Sequence, residues 1–129
     1  MIRFLAACAL LLGTACVGDE SVAKYGASGK VWRLVEVDGH AFPARATMEL
    51  DKSGWIKGQA PCNRFSAQQK APYPWFEAGP AMATKMACPD LASESAFFAA
   101  LDEMSLSEVS GDTLVLSNDV GRAMVFKAQ

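Results

Sequence analysis

The cysteines have the widest covalent chemistry in this chain, which contains four of them in 129 residues. A thiol can form a disulfide, attack a substrate as a thiolate or bind a soft metal ion. A disulfide between Cys62 and Cys88 would close a loop of about 27 residues and add about 3–4 kcal/mol of stability on the chain-entropy estimate. Three states stay open for this pair: a disulfide, which we favour, two separately buried thiols, or a reactive or metal-binding pair.

Catalysis by a cysteine needs a base to generate the thiolate, and His40 is the only histidine of the chain. It follows the turn dipeptide Asp38-Gly39, so we expect it to be exposed in a loop. The sequence has no Gly-x-Ser-x-Gly motif, no phosphate-binding glycine loop and no His pair at metal-ligand spacing. We therefore expect no enzyme activity, no catalytic residues and no cofactor.

Met82, Met86 and Cys88 form the one set of soft ligands that would suit Cu(I). If residues 81–87 form a strand, even separations place all three side chains on one face. Core packing uses the same geometry, because methionine fills irregular gaps, and we favour core packing. A soft-metal site on these residues is the alternative.

Aromatic residues interleaved with prolines suggest a binding surface. Trp55 and the segment that contains Tyr73 and Trp75 could contact a peptide, a glycan or a lipid, with Asn63 and Arg64 orienting polar groups beside them. The competing interpretation is that Trp75 and Phe76 cover one open end of the barrel. Likewise, Asn63 and Arg64 could simply satisfy backbone groups in a turn.

The first fifteen residues have the features of a secretory signal peptide, namely a positive charge at Arg3, a short apolar run and small residues before Cys16. The apolar run is about half the length that a membrane span needs. Removal of the leader would leave three thiols, and acylation of Cys16 with chains such as palmitate would remove the odd one. We expect residues 1–15 to be the leader, 16–29 a lipidated flexible tether and 30–129 the folded domain.

Composition limits the possible partners. The chain has 12 Lys and Arg against 14 Asp and Glu, a formal charge of −2, and 51% hydrophobic residues. A nucleic-acid binder needs a basic face, so we expect no nucleic-acid partner. The remaining length without the leader suits one domain.

The pattern from residue 30 onward predicts many short strands and one helix. Strands are expected at 31–37, 47–50, 55–58, 63–66, 81–87, 106–109, 113–117 and 122–127, and the prolines of 71–80 predict a loop or an edge. A helix is expected at about 91–104, capped by the Asp90 side chain, with Phe97, Phe98, Leu101 and Met104 as its apolar stripe. This predicts an α+β fold with a mostly antiparallel, curled or barrel-like sheet of about seven to eight strands.

An ordered set of local motifs resembles the META-domain family, the HslJ-like heat-shock proteins of bacterial envelopes. The set spans about residues 30–128 and comprises Trp32-x-Leu34, a strand-turn-strand ending at Gly58, Cys62-Asn63-Arg64-Phe65, Thr84-Lys85-Met86-Ala87-Cys88-Pro89, Glu94-x-x-Phe97-x-x-x-Leu101 and a closing hairpin that ends at Phe126. The resemblance implies a small β-rich domain, often on lipoproteins, with links to heat shock and drug tolerance. It implies no established catalytic activity.

Together these observations predict a non-catalytic envelope lipoprotein, a stress-linked binding or interaction module that supports envelope integrity. Its expected partners are the membrane, through Cys16, and an envelope protein, glycan or lipid. We expect it at the outer membrane facing the periplasm, because Val17 rather than Asp follows Cys16; a soluble periplasmic protein is the alternative. A periplasmic copper-binding protein using Met82, Met86 and Cys88 is the alternative function.

Overall fold

The computed structural model of this chain describes residues 20–129; the expected signal peptide and Cys16 lie outside them. One antiparallel sheet and one long helix, α1, make up the domain. The elements in chain order are a short helical segment at Ala23–Ala27, then β1 Trp32–Val37, β2 His40–Ala41, β3 Thr47–Leu50, β4 Trp55–Gln59, β5 Arg64–Gln68, β6 Met82–Ala83, α1 Leu91–Glu103, β7 Leu106–Ser110, β8 Thr113–Ser117 and β9 Ala123–Ala128.

The strands form because their residues alternate between a buried and an exposed side. In β3, Met48 and Leu50 are buried while Glu49 is exposed, and β8 and β9 repeat this pattern. Every strand pairing is antiparallel, and the order is β6-β5-β4-β3-β1-β9-β8-β7 with β2 beside β1. The expected α+β class is therefore confirmed, with nine strands of which two have only two residues.

Gly58 lies where β4 approaches its neighbours very closely, and it pairs with Met48 on one side and Phe65 on the other. A Cβ atom at Gly58 would collide with the Thr47 carbonyl oxygen and lie 2.8 Å from the Phe65 ring. A strand glycine without room for a side chain is typical of close backbone approach at the bend of a curled sheet.

Strand pairing does not close the sheet into a barrel, since β6 and β7 are its two ends. The proline segment spans part of the gap between the edges. Ser107 N–H donates to the Pro74 carbonyl at 2.7 Å and Phe76 N–H to the Ser105 carbonyl at 2.9 Å, while Gly79 N–H donates to the Gln68 carbonyl at 2.8 Å. The segment therefore hydrogen-bonds to β5 on one side and to β7 on the other, the edge role that its prolines allow.

Helix α1 fills the open side of the curled sheet. Phe97 and Leu101 are buried, Phe98 is half-buried, and the rings of Phe97 and Phe98 meet the Phe65 ring edge-on or tilted at centroid distances of 5.5 and 5.2 Å. The apolar stripe is thus core, as expected. The expected side-chain cap is wrong: the Asp90 carboxylate makes no capping hydrogen bond, because its backbone (φ −94°, ψ 18°) lacks the extended conformation of a capping residue.

Residues 20–29 are packed, where the sequence predicts a flexible tether. Val22, Ala23 and Ala27 belong to the buried core, and the Trp32 indole N–H donates to the Ala27 carbonyl at 2.8 Å. These small apolar residues fit into the end of the sheet, so the segment gains burial that its polar composition does not suggest.

No helix within residues 20–129 is both long and apolar enough to cross a membrane.

The expected strand at 81–87 is also shorter in the structure, where only Met82–Ala83 pairs with β5. Thr84 N–H still reaches the Arg64 carbonyl at 3.1 Å, but Met86 N–H donates to the Asn63 side chain instead of a neighbouring strand. A side-chain acceptor therefore replaces the strand ladder from this point on.

Candidate functional site

A groove of about 740 Å³ lies on the side of β3–β6 that faces away from the core. The strand registers place its side chains in two rows. Thr47, Gln59 and Arg64 stand opposite one another in the first row, and Glu49, Lys57, Ser66 and Met82 in the second. All of these side chains except Met82 are polar, so the groove offers hydrogen-bonding groups across an open face of the sheet.

Arg64 is the groove's free cation. No hydrogen bond or ion pair of its guanidinium occurs among residues 20–129, whereas Lys57, the other cation in the groove, forms an exposed ion pair with Asp51 at 3.5 Å. An unpaired guanidinium keeps its five donors for planar acceptors such as carboxylate or phosphate. Met82 adds an apolar surface beside it, because its side chain is 60% exposed.

A disulfide between Cys62 and Cys88 lies next to the end of the groove that Arg64 and Thr84 line. The two Cα atoms lie 5.6 Å apart, within the range of native disulfides. The bond joins the loop before β5 to the loop before α1, so it holds the segment that follows β6. Of the three states that the sequence left open for this pair, the structure has the disulfide.

Asn63 and Glu94 form a buried polar network beside that disulfide. The Glu94 Oε1 atom accepts the backbone N–H groups of Cys62 at 3.0 Å and Asn63 at 2.7 Å, and its Oε2 accepts Asn63 Nδ2 at 2.7 Å. Asn63 Oδ1 accepts Thr84 Oγ1 and Met86 N–H, and Nδ2 also donates to the Met86 carbonyl. All four hydrogen-bonding positions of the Asn63 amide are therefore occupied.

This network decides the role of Asn63. The sequence allowed Asn63 either to orient a ligand or to satisfy backbone groups in a turn. Its amide bonds the backbone of Met86, 23 residues away, and the side chains of Thr84 and Glu94, so it joins distant segments rather than its own turn. Glu94 completes the network and was not predicted as a site residue. Its only sequence signal is a carboxylate in the first turn of α1, 31 residues after Asn63, and that spacing carries no information about contact.

Trp55 shares the outward side of the sheet with Arg64 but does not line the groove. The β3–β4 turn holds its backbone, because the Asp51 carboxylate accepts the N–H groups of Ser53 and Trp55, each at 3.0 Å, and the Ser53 hydroxyl. The Ser53 hydrogen bond is the largest influence that lowers the pKa of Asp51. Trp55 is half-buried beside the groove.

Tyr73 and Trp75 belong to a second surface, at the edge that the proline segment forms with β7. The Tyr73 ring stacks on the Tyr25 ring with a centroid distance of 4.7 Å. Trp75 is 57% exposed and Tyr25 is 55% exposed. We call Tyr25, Tyr73 and Trp75 the aromatic patch. Of the two residues expected to cover an open end of the fold, Phe76 is buried and Trp75 is exposed.

The structure contradicts the copper site. The Cys88 sulfur is committed to the disulfide, so it offers no thiolate to a metal ion. Core packing of Met82 and Met86, the interpretation favoured from the sequence, is also wrong, because their side chains are 60% and 67% exposed. Within residues 20–129 no three His, Cys, Asp or Glu side chains are grouped to hold a metal ion.

A surface charge cluster joins the β1–β2 turn to β9 and the end of α1. The Arg122 guanidinium contacts Asp38 Oδ2 at 2.9 Å and Glu103 Oε2 at 2.7 Å. Its hydrogen bond to Asp38 is the main cause that lowers the pKa of this carboxyl, and the Ala123 N–H adds to the effect. His40 is exposed nearby, as expected, but it lies in β2 rather than in a loop, and its Nδ1 is 3.0 Å from the Asp38 carbonyl oxygen.

Over residues 20–129 the fold and the groove define a class, a small α+β domain in which a curled antiparallel sheet packs around one long helix. The META domain family model matches residues 26–129, so the chain belongs to the META domain family.

Solved structures share this fold. A protein from Burkholderia xenovorans, determined by NMR, superposes with a TM-score of 0.67 at 21% identity, over 100% of this chain and 99% of its own. A DUF4847 family protein from Bacteroides vulgatus gives a TM-score of 0.65 at 11% identity, over 83% of this chain and 96% of its own. The comparison with curated proteins returns no match.

Proposed function

We propose that this chain is a non-catalytic, lipid-anchored protein of the bacterial envelope, whose META domain binds a partner in the groove beside Arg64. The role is that of an interaction module supporting envelope integrity under stress. The groove is the observation that carries the binding function. The partner is an envelope protein, glycan or lipid whose acceptor groups pair with the Arg64 guanidinium.

Export is supported by the disulfide. Disulfides persist in oxidising compartments such as the periplasm and are rare in the bacterial cytosol. The leader-like residues 1–15 and the small residues before Cys16 agree with export followed by acylation of Cys16. The outer membrane, with the domain facing the periplasm, is the proposed location.

The non-catalytic assignment is supported by how the reactive side chains are used. Cys62 and Cys88 are bonded to each other, so neither supplies a nucleophilic thiolate. The Glu94 carboxylate is buried and accepts three hydrogen bonds from the chain itself. These hydrogen bonds hold Asn63, which in turn accepts a hydrogen bond from Thr84 at the end of the groove.

Site-specific photocrosslinking in living cells tests the groove. A photoreactive residue replaces Ser66, which points into the groove, and in a matched control it replaces Glu108, which is exposed on β7. We expect a discrete adduct from position 66 alone. The adduct should weaken when Arg64→Glu is added and persist with Lys52→Glu, which reverses a cation in the β3–β4 turn outside the groove.

A deletion strain links binding to function. Cells that lack the gene should become sensitive to detergent, and Lys52→Glu should restore resistance while Arg64→Glu should not. Equal rescue by both variants, together with equal crosslinking at positions 66 and 108, would contradict a role for the groove.

A further inference from the structure

The aromatic patch is rigidly fixed to the domain although its rings face solvent. Trp75 N–H donates to the Pro72 carbonyl at 2.7 Å, which closes a turn around Tyr73 and Pro74. The Pro74 carbonyl accepts the N–H of Ser107 in β7 at 2.7 Å, so the turn is tied to the sheet. Tyr25 is held on the other side by its stacking on Tyr73. Exposed aromatic residues on a fixed backbone lose little conformational freedom on binding.

The chain leads from this patch directly toward the proposed lipid anchor. Tyr73 N–H donates to the Glu20 carbonyl at 2.7 Å, so Glu20 lies against the patch. Cys16 is four residues before Glu20. Four residues of chain span at most about 14 Å, whatever their conformation. Acyl chains on Cys16 would therefore hold the patch close to the bilayer surface.

We propose that the aromatic patch is the face on which the domain rests on the membrane, with Tyr25, Tyr73 and Trp75 at the level of the phospholipid headgroups. This inference rests on the proposed acylation of Cys16. Tyrosine and tryptophan suit this position because each ring has an apolar body and a polar tip, and both residues are enriched at membrane interfaces. The anchor and the patch together fix the orientation of the domain.

Charge contributes little to this contact. Lys24 is the exposed cation beside Tyr25, while Glu20 and Glu77 are exposed carboxylates at the two ends of the segments that form the patch. Attraction to anionic lipids needs a basic cluster, which these residues do not form. The contact should therefore persist when salt is raised, since screening weakens charge attraction and leaves apolar contact unchanged.

Depth-dependent quenching tests the contact on the protein purified from membranes. The protein is reconstituted into phosphatidylethanolamine and phosphatidylglycerol vesicles with or without brominated acyl chains, and tryptophan emission is recorded. Trp32 is fully buried and Trp55 half-buried, so Trp75 is the tryptophan with the largest exposure. We expect brominated lipid to quench the wild-type emission and Trp75→Phe to lose the quenchable fraction.

A relocated tryptophan provides the matched control. Met86 is 67% exposed and lies by Asn63, next to the start of β5, whereas the proline segment is bonded to Gln68 at the end of β5. Met86→Trp in the Trp75→Phe background therefore places an exposed indole far from the patch. We expect this indole to escape quenching. Both variants change exposed side chains, so circular dichroism should report an unchanged fold.

The mass of each preparation separates the two proposals. Acylated protein with selective quenching of Trp75 supports the inference. Acylated protein with equal or absent quenching at positions 75 and 86 overturns the inference and leaves the anchor intact. Protein without acyl chains overturns the proposed anchor, and this inference with it.

Discussion

Glu94→Gln should strongly destabilise the domain, although the two side chains have the same shape. In the structure both oxygens of Glu94 accept hydrogen bonds, and Oε2 lies 2.7 Å from Asn63 Nδ2. A glutamine that keeps its oxygen at the Oε1 position places an NH2 group against the Asn63 NH2 group. The flipped amide is worse, because its NH2 group then faces the backbone N–H groups of Cys62 and Asn63.

The magnitude follows from these contacts. Losing a hydrogen bond to a charged acceptor costs about 1.5–3 kcal/mol, and leaving buried N–H groups unsatisfied adds about 1–3 kcal/mol. Removing a buried charge returns part of this loss, because a carboxylate is costly to desolvate. We expect Glu94→Gln to lower the free energy of unfolding by about 2–4 kcal/mol, equivalent to about 10 °C in the melting temperature.

Urea unfolding of the oxidised protein, followed by tryptophan fluorescence, to which the buried Trp32 contributes, measures this change. Glu108→Gln is the matched control, because Glu108 is exposed on β7 and makes no side-chain hydrogen bond within the described residues. We expect this control to stay within about 0.5 kcal/mol of wild type. A Glu94→Gln midpoint that coincides with this control would refute the buried network.

Three further changes test the rest of the structure. Replacing both Cys62 and Cys88 by serine should cost about 3.5 kcal/mol for a separation of 26 residues, measured by urea unfolding without reductant; an unchanged midpoint would mean that the bond is absent. Gly58→Val should collide with the Thr47 carbonyl oxygen, so soluble protein with a wild-type melting temperature would contradict the strand geometry. Asp38 has a lowered pKa in the folded state, so its contribution is present above the unfolded pKa of about 3.9 and is lost as pH falls through the lower folded value. Asp38→Asn should therefore remove part of the stability loss that occurs as pH falls below the unfolded pKa, and an identical acid profile for variant and wild type would contradict the contact with Arg122.

The sheet was predictable because its strands alternate. Met48 and Leu50, or Leu114 and Leu116, identify the buried side from local sequence alone, and Gly at positive φ marks turns such as Gly39 and Gly111. The requirement for glycine at position 58 was not predictable. It arises because Thr47 and Phe65 leave no room for a Cβ atom there, and they approach Gly58 only in the folded sheet.

The wrong predictions concern segments whose partners lie far away in the sequence. Residues after Ala83 have the composition of a strand, but the Asn63 amide takes the Met86 N–H and ends the ladder. Residues 20–29 have few large apolar groups, so composition suggested a tether, yet Val22 and Ala27 are buried against the sheet. Local composition cannot report a partner that is distant in sequence.

The candidate site was predictable only in part. Trp55 and Arg64 do share the outward side of the sheet, and alternation along β4 and β5 could have paired them. Tyr73 and Trp75 form a different surface, and Tyr25, which completes it, was assigned to the tether. Tyr25 is the only aromatic residue between Cys16 and Lys30. Without knowledge of the fold, that is a weak indication that it belongs to a surface site.

The central claim is that this chain is an anchored envelope domain held by the Cys62–Cys88 disulfide. Intact mass spectrometry on protein purified from native membranes, alkylated with and without prior reduction, tests both parts at once. We expect the mass of residues 16–129 plus fatty acyl chains, with two cysteines alkylated only after reduction. An unacylated mass, with Cys62 and Cys88 alkylated before reduction, would contradict the account.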